Sequence, residues 1–360
     1  MSVGVASPRA PAQVRVGRLE ALRRRPLLLA GIGLVALAVV FVAAVALGSV
    51  AIAPADTLAV ITHRLFGWPA QAWPASTETI VLELRLPRVL TAMAVGVALS
   101  LAGATFQGLL RNPLADPYVL GTASGAAFGA AVALLLPVQV ALLGFGLLHL
   151  FAFAGALVAV AVVYRLASVG SLASMTSVLL TGYAVGALLA AGLAVTMYLS
   201  GSNLRQIFTY LLGSFALASW PQLAIGLPVI ALGSVVIVLR ARALNALLLG
   251  EETAAHLGLD VRRERLVLLA AATLVTAAAV AMSGLIGFVG LVVPHLVRLV
   301  VGPNARLLLP LSALYGAAFL GLADLLARMP GELPVGVVTA VVGAPFFLYL
   351  LRRYRTGYAL

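Results

Sequence analysis

The stretch Pro26-Leu-Leu-Leu-Ala-Gly-Ile-Gly-Leu-Val-Ala-Leu-Ala-Val-Val-Phe-Val-Ala-Ala-Val-Ala-Leu-Gly-Ser-Val-Ala-Ile-Ala-Pro54 contains no charged residue. About 20 apolar residues are enough for a helix to cross a bilayer, and a signal-peptide core has only about 7–15. The arginines Arg23, Arg24 and Arg25 stand directly before it. The stretch therefore predicts an uncleaved first transmembrane helix, preceded by a cytoplasmic extension over residues 1–25.

The whole chain shares the apolar character of this stretch. Of its 360 residues 63% are hydrophobic and 9% are charged, and the mean hydropathy is +1.13. A soluble domain is only about half apolar, so the solvent that this composition suits is lipid. The apolar runs are too long and continuous for the alternating strands of a barrel. We expect an all-α, polytopic bundle that forms a single transmembrane domain over residues 26–355.

Short stretches of polar or turn-forming residues divide the chain into about ten apolar segments. The eighth is short, and we expect either a full crossing or a partial helix held inside the bundle. The segments centre on residues 28–50, 89–108, 119–136, 140–164, 176–200, 221–239, 266–287, 289–301, 307–327 and 334–351.

The basic residues indicate the orientation of the bundle. All 23 are arginine, and they are scattered between apolar runs, which argues against a nucleic-acid-binding domain. With the N-terminus inside and ten crossings, 18 of the 23 fall on the cytoplasmic side, as the positive-inside rule requires. We therefore expect both termini in the cytoplasm and a multi-pass protein of the inner (plasma) membrane. Five arginines fall outside, namely Arg64, Arg85, Arg88, Arg205 and Arg328.

Several classes of chemistry have no support in the sequence. There is no Cys, the four His residues have no metal-ligand spacing, and the phosphate-binding GxxxxGK[ST] loop is absent. The acidic residues fall almost entirely in predicted loops or at span ends, whereas ion-coupled transporters carry carboxylates within the membrane. Asp324 is the deepest, and its spacing predicts an ion pair with Arg328. We expect no catalytic residue, metal or cofactor in this chain, and an energy source outside it.

Two features suggest surfaces for close contact. Glycines recur every four residues at Gly121, Gly125 and Gly129, a spacing that favours tight helix packing or a helix that lines a conduit. The longest cytoplasmic loop, 240–265, predicts two short helices, Ala243–Leu249 and Glu251–Leu257, each followed by a capping glycine. Such a pair is either a docking surface for a soluble partner or an ordinary amphipathic connector.

Five separated segments, in order, resemble the permease subunits of the iron-siderophore, haem and vitamin B12 ABC importer family. One is the loop just described. The others are Leu84-Arg-Leu-Pro-Arg88 before the second span, Gly103-Ala-Thr-Phe-Gln-Gly-Leu-Leu-Arg-Asn-Pro-Leu-Ala-Asp-Pro117, Gly284-Leu-Ile-Gly-Phe-Val-Gly-Leu-Val-Val-Pro-His295 and Glu332-Leu-Pro-Val-Gly-Val-Val-Thr-Ala340. The resemblance covers residues 27 to 353.

This resemblance implies a homodimer in the bilayer, two ATPase subunits that use ATP on the cytoplasmic side, and one extracytoplasmic substrate-binding protein. It assigns binding-protein docking to Arg85, Arg88 and Arg328; lipid-headgroup contact is the alternative for each. It assigns a gate to Met175 and Thr176. It assigns ATPase coupling to Leu249, Gly250, Glu251, Ala254, Leu257 and Gly258.

The function that follows is import of an iron chelate, a ferric siderophore or haem, driven by ATP hydrolysis in a partner subunit. An importer permease for vitamin B12 (cobalamin) is the alternative, since the same motifs occur in both kinds. Two other classes remain open from the sequence. One is an ion-coupled secondary transporter, which would need no ATPase partner, and the other is a membrane-embedded enzyme or scaffold, which would transport nothing.

Overall fold

A computed structural model describes residues 25–48, 50, 52–137, 141–142, 145–168, 175–329 and 331–357. The described chain is helical apart from one antiparallel pair of two-residue strands, β1 (Ala141–Leu142) and β2 (Phe145–Gly146). The helices are α1 (Pro26–Ala46), α2 (Pro54–Phe66), α3 (Ala75–Leu109), α4 (Thr122–Leu135), α5 (Leu147–Ala167), α6 (Met175–Leu199), α7 (Leu204–Leu212), α8 (Trp220–Leu239), α9 (Ala241–Leu248), α10 (Glu251–His256), α11 (Val261–Ser283), α12 (Val289–Val301), α13 (Ala305–Arg328) and α14 (Val335–Gly357).

Helix length separates two groups of apolar helices. Within the described residues, eight helices are long and apolar enough to cross a membrane: α1, α3, α5, α6, α8, α11, α13 and α14. The other two apolar helices, α4 and α12, have 14 and 13 residues. At 1.5 Å per residue they reach only about 20 Å, less than the ~30 Å hydrocarbon core. The predicted polytopic helical bundle is confirmed, and the eighth predicted segment is a short helix.

Helices α3 and α11 form the centre of the bundle. In α3 89% of the apolar window is buried, and in α11 78%. Glycines let the neighbours of α3 approach to backbone contact: a Cβ on Gly96 would overlap the carbonyl oxygen of Gly316 in α13, and one on Gly103 that of Gly290 in α12. In lipid such close packing replaces the hydrophobic effect as the force between helices. The same holds between α4 and α5, where Gly125 faces Gly155.

Three membrane-length helices lie at the periphery. Only 11% of the apolar window of α6 is buried within the chain, and 22% in each of α1 and α14. Leu180, Tyr183, Leu188 and Tyr198 of α6 are all strongly exposed. A helix that is apolar all round must be covered by lipid or by protein, so these faces contact the bilayer or another chain.

Some expected boundaries differ from the structure. The helix predicted to begin near residue 89 begins at Ala75, so the motif Leu84–Arg88 lies inside it rather than before it. Residues Ile80–Arg85 form a wide π turn in which the Leu86 N–H bonds to the Val81 carbonyl, because Pro87 has no N–H to continue the ordinary register. The amphipathic helices α2 and α7 were not predicted, since each is too short and too polar to resemble a span.

The proposed domain division stays a prediction. Apart from Arg25, the extension over residues 1–25 lies outside the described residues, and so do the last three of the chain. Among the described residues, one large cluster of buried apolar side chains includes both Leu29 in α1 and Val335 in α14, and two smaller clusters lie beside it.

Candidate functional site

The described structure has two polar ends. We call one the Arg85 end; it holds the last turn of α1, the π turn of α3 and the last turn of α13. The other, the Asn245 end, holds α9, α10 and the first turns of α11 and α13. Both ends contain residues that the sequence singles out.

Arg85 caps the C-terminus of the first helix. Its Nη1 donates to the carbonyl oxygens of Val45 at 2.9 Å and Ala46 at 2.6 Å, and its Nη2 donates to that of Val50. The last carbonyls of a helix have no partner within the helix and carry the negative end of its dipole. The Arg85 guanidinium donates hydrogen bonds to these carbonyls and places a positive charge at the negative end of the dipole. Arg85 is only 6% exposed as a result.

A buried carboxylate joins the two other arginines of this end. Asp324 Oδ1 lies 3.0 Å from Arg88 Nη2, and its Oδ2 lies 3.1 Å from Arg328 Nε. Arg328 also donates from Nη2 to the Ala44 carbonyl at 2.9 Å, next to the groups that Arg85 caps. The predicted pair between Asp324 and Arg328 is therefore present, within a network that also ties α1 to α3 and α13.

The three arginines that we expected to dock a binding protein are thus buried. Arg88 and Arg328 are 9% and 5% exposed, and their donors bond within the chain. The open edge of the network is Glu332, whose side chain is 55% exposed and whose Oε1 lies 3.6 Å from Arg88 Nη1. Docking at these arginines stays a prediction, and a partner carboxylate at Arg88 would compete with Glu332.

At the Asn245 end, side-chain bonds hold the two short helices in place. Asn245 of α9 donates from Nδ2 to Asn304 Oδ1 at 2.9 Å and accepts the Ala305 N–H at 2.7 Å, so α9 is tied to the start of α13. Leu244 packs against Gly108 at the end of α3. Glu251 of α10 pairs with Arg265 of α11, Oε1 to Nη1 at 2.8 Å.

Helix α10 presents an apolar surface next to charged residues. Leu249 and Leu257, which flank it, are each 66% exposed, and Glu251 is exposed between them. Neither leucine belongs to a helix of membrane length. Ala254 differs from the other residues predicted for coupling, because it is fully buried and supports α10 from within. Gly250 and Gly258 have positive φ angles that favour glycine.

The predicted gate lies at the start of α6. Thr176 is exposed in the first turn of this helix. The side chain of Met175 and residues 169–174 lie outside the described part. The gate therefore stays a prediction that the exposure of Thr176 permits.

The sequence did not predict how the two short apolar helices begin. Each follows a non-helical segment, 110–121 before α4 and 284–288 before α12, and the two segments meet inside the bundle. The Tyr118 hydroxyl donates to the Ile286 carbonyl at 3.0 Å and accepts the Ile286 N–H at 3.2 Å. Pro117 packs on Gly290, beside Leu99 in the middle of α3. Non-helical backbone is tolerated in a membrane bundle only where it is paired in this way or lines a cavity.

The described chain has membrane-length helices around a close-packed centre, two short helices that begin inside the bundle, and a helical pair held at one end. Together these features define an integral membrane permease. The FecCD transport family matches residues 36–353 of the sequence. The chain therefore belongs to the FecCD transport family, and it is a permease of an ABC importer rather than an enzyme.

Individual relatives agree with this assignment. The chain is 47% identical over 300 residues to the cobalamin import system permease protein BtuC of Halobacterium salinarum, over 83% of this chain and 79% of the relative. It is 42% identical over 292 residues to the hemin transport system permease protein HmuU of Yersinia pestis, over 79% and 87%. A solved structure described as an inward-facing conformation of a metal-chelate type ABC transporter is similar with a TM-score of 0.77 and 31% identity, over 91% and 99%.

Proposed function

We propose that this permease imports an iron chelate, a ferric siderophore or haem, across the inner membrane in a complex that hydrolyses ATP in separate subunits. In this arrangement both termini and the Asn245 end lie in the cytoplasm, and the Arg85 end faces outward. The arginine distribution supports this orientation, because the helical pair and the starts of α11 and α13 carry Arg240, Arg242, Arg262, Arg263, Arg265 and Arg306.

The exposed pair Leu249 and Leu257 is the observation that carries the proposal. Two large exposed apolar side chains on one short segment are typical of a protein-binding surface. The acidic and basic residues next to them form the polar rim of this surface. We assign this surface to the ATPase subunits, one on each of two permease copies. The residues in contact are Leu249, Gly250, Glu251, Leu257 and Gly258, with Ala254 beneath them.

The contacts of α9 and α10 supply a route for motion. A displacement of α10 acts on α11 through Glu251 and Arg265, and a displacement of α9 acts on α13 through Asn245 and on α3 through Leu244. Packed interfaces switch between discrete arrangements rather than deform continuously. ATP binding that moves α10 would therefore move whole helices, and the permease would alternate between outward-open and inward-open forms, with Met175 and Thr176 at the inner gate.

The remaining partners follow from the other exposed faces. A second copy of the chain covers the apolar face of α6, and a two-fold homodimer is the commonest arrangement of identical subunits. A substrate-binding protein docks at the Arg85 end over Glu332 and the arginines beneath it.

Cobalamin is the second candidate substrate. The relative from Halobacterium salinarum carries cobalamin in its name, and the one from Yersinia pestis carries hemin. Both substrates are bulky metal-organic chelates, so the same permease architecture suits either. An ion-coupled mechanism has less support, because the deeply placed Asp324 is 1% exposed and is occupied by two arginines.

The decisive variant is Leu249→Asp with Leu257→Asp. We expect it to abolish co-purification of the ATPase subunits and ATP-dependent uptake in vesicles, while the thermal unfolding of the permease is unchanged. Leu65→Asp is the matched control, since Leu65 is 68% exposed on α2. Wild-type vesicles loaded in turn with binding protein carrying ferric siderophore, haem or cobalamin identify the cargo. Uptake that proceeds without ATP, or that survives the double substitution, contradicts the proposal.

A further inference from the structure

We propose that a groove between α5, α8 and α11 binds one anionic phospholipid, with an acyl chain in the groove and the phosphate on arginines at its mouth. The groove has a volume of about 640 Å³. Its lining is almost wholly apolar and includes Leu157, Ala161, Tyr164, Val236, Leu266 and Ala270. This proposal does not depend on what the permease transports.

The three helices give the groove a defined direction. Leu148 and His149, at the start of α5, lie beside Ala281–Gly284 at the end of α11, so these two helices are antiparallel. Tyr164 consequently lies at the Leu266 end of the groove, where α8 also ends. From Leu266 to Leu274 the groove follows α11 for about 12 Å, which is close to the depth of one leaflet of a ~30 Å hydrocarbon core.

Each helix places an arginine one turn beyond the groove at this end. Arg165 follows Ala161 by four residues, Arg240 follows Val236 by four, and Arg262 precedes Leu266 by four. Residues four apart lie on the same face of a helix, so all three arginines flank the same mouth. Arg263 stands next to them, and its backbone N–H is bound by Asp260 at 3.0 Å.

The charge of this mouth is only partly balanced. Glu264 pairs with Arg240, Oε1 to Nη1 at 2.7 Å, and Asp260 caps the start of α11. In the described part of the chain, Arg165, Arg262 and Arg263 form no ion pair with a carboxylate, and all three are exposed. The mouth of the groove therefore has an excess of guanidinium groups next to the apolar lining.

An anionic phospholipid fits both parts of this site. Guanidinium groups bind phosphate oxygens in bidentate fashion, and basic pockets between helices are known binding sites for anionic head groups. Tyr164 lies beside Arg165, where an amphipathic ring suits the boundary between head groups and acyl chains. The acyl chain of phosphatidylcholine would fill the groove equally well, but its head group would add a choline cation to a mouth that is already cationic.

The test counts the lipids that stay bound to the full-length permease in detergent micelles containing equal phosphatidylglycerol and phosphatidylcholine, by native mass spectrometry. We expect the wild type to retain phosphatidylglycerol several-fold over phosphatidylcholine. Arg165→Gln with Arg262→Gln should bring the ratio close to one. Arg111→Gln with Arg306→Gln removes equal charge away from the groove and should leave the ratio unchanged.

Two further variants test the groove itself. Ala161→Trp and, independently, Ala270→Trp add a large side chain at exposed lining positions, so both should fold. We expect each to reduce retained phosphatidylglycerol several-fold. Equal retention of both lipids by the wild type would overturn the proposal. So would loss of preference in the arginine variant with full retention in both tryptophan variants, since that result describes surface attraction alone.

Discussion

Arg88 and Asp324 stand 236 residues apart in the sequence and form a buried ion pair, with Nη2 and Oδ1 at 3.0 Å. The pair joins α3 to α13 at the Arg85 end, and Arg328 completes it from the other side of the carboxylate. One buried carboxylate thus holds two guanidinium groups, one of which also binds the end of α1. Asp324 is therefore the shared counter-charge of Arg88 and Arg328 at this end.

Replacing Asp324 with Asn should destabilise the permease by about 3–5 kcal/mol, because two buried arginines then lose their counter-charge. Thermal unfolding in detergent micelles measures the effect. Glu83→Gln is the control, since Glu83 is exposed on α3 at the same end of the bundle, and its replacement should cost less than about 0.5 kcal/mol. Equal unfolding temperatures for the two variants would mean that the network does not stabilise the fold.

Replacing Glu332 with Gln should strengthen docking of the binding protein. Glu332 is the half-exposed partner of Arg88, and a pair of this kind contributes about 0–1 kcal/mol. Its removal should therefore raise the affinity by up to about five-fold, measured as Kd between reconstituted permease and binding protein at fixed salt. Glu83→Gln removes the same charge from the same end; if it has an equal effect, a partner does not reach Arg88.

Replacing Gly103 with Ala should cost about 1–3 kcal/mol, because the added methyl group overlaps the carbonyl of Gly290 and forces α3 and α12 apart. Gly31→Ala, in α1, meets no atom within 4 Å and should be neutral or slightly stabilising. Unfolding temperatures and the yield of folded protein compare the two. A Gly103 variant as stable as the Gly31 variant would show that the approach of these helices is adjustable.

Replacing Tyr118 with Phe leaves the buried N–H and C=O of Ile286 without the hydroxyl that serves both. We expect a loss of about 1–3 kcal/mol and faster amide hydrogen exchange at Ile286. Tyr198→Phe is the matched control, since Tyr198 is 89% exposed on α6. Unchanged exchange at Ile286 would indicate that another donor or water replaces the hydroxyl.

The sequence predicted those helices and contacts that depend only on residues close together in the chain. The apolar run from Pro26 predicts α1, and the two helices after Arg240 appear within two residues of their predicted ends. The four-residue spacing of Asp324 and Arg328 predicts their pair, because i and i+4 are neighbours on any helix. Gly125 and Gly129 predict a close helix contact, and they form one with α5.

Contacts between residues that are distant in the sequence could not be predicted from local patterns. Arg85 and Arg328 stand out in the sequence because the predicted topology puts them on the side with few arginines, yet nothing near them in sequence reveals that they cap the carbonyls of α1. Ala254 has the same small side chain as the exposed Ala255, and only the packing of α10 on its neighbours separates the two. The meeting of Tyr118 with Ile286 joins residues 168 positions apart.

The sequence by itself determined the solvent of this protein, its helical class, the positions of most helices and its family, because apolar length, charge placement and motifs are properties of contiguous residues. Only the tertiary structure decided which charged groups are buried and paired, which leucines remain exposed at α10, and where two helices begin inside the bundle. Those outcomes depend on how each helix is rotated and which partner it meets, and both are set by packing over the whole chain.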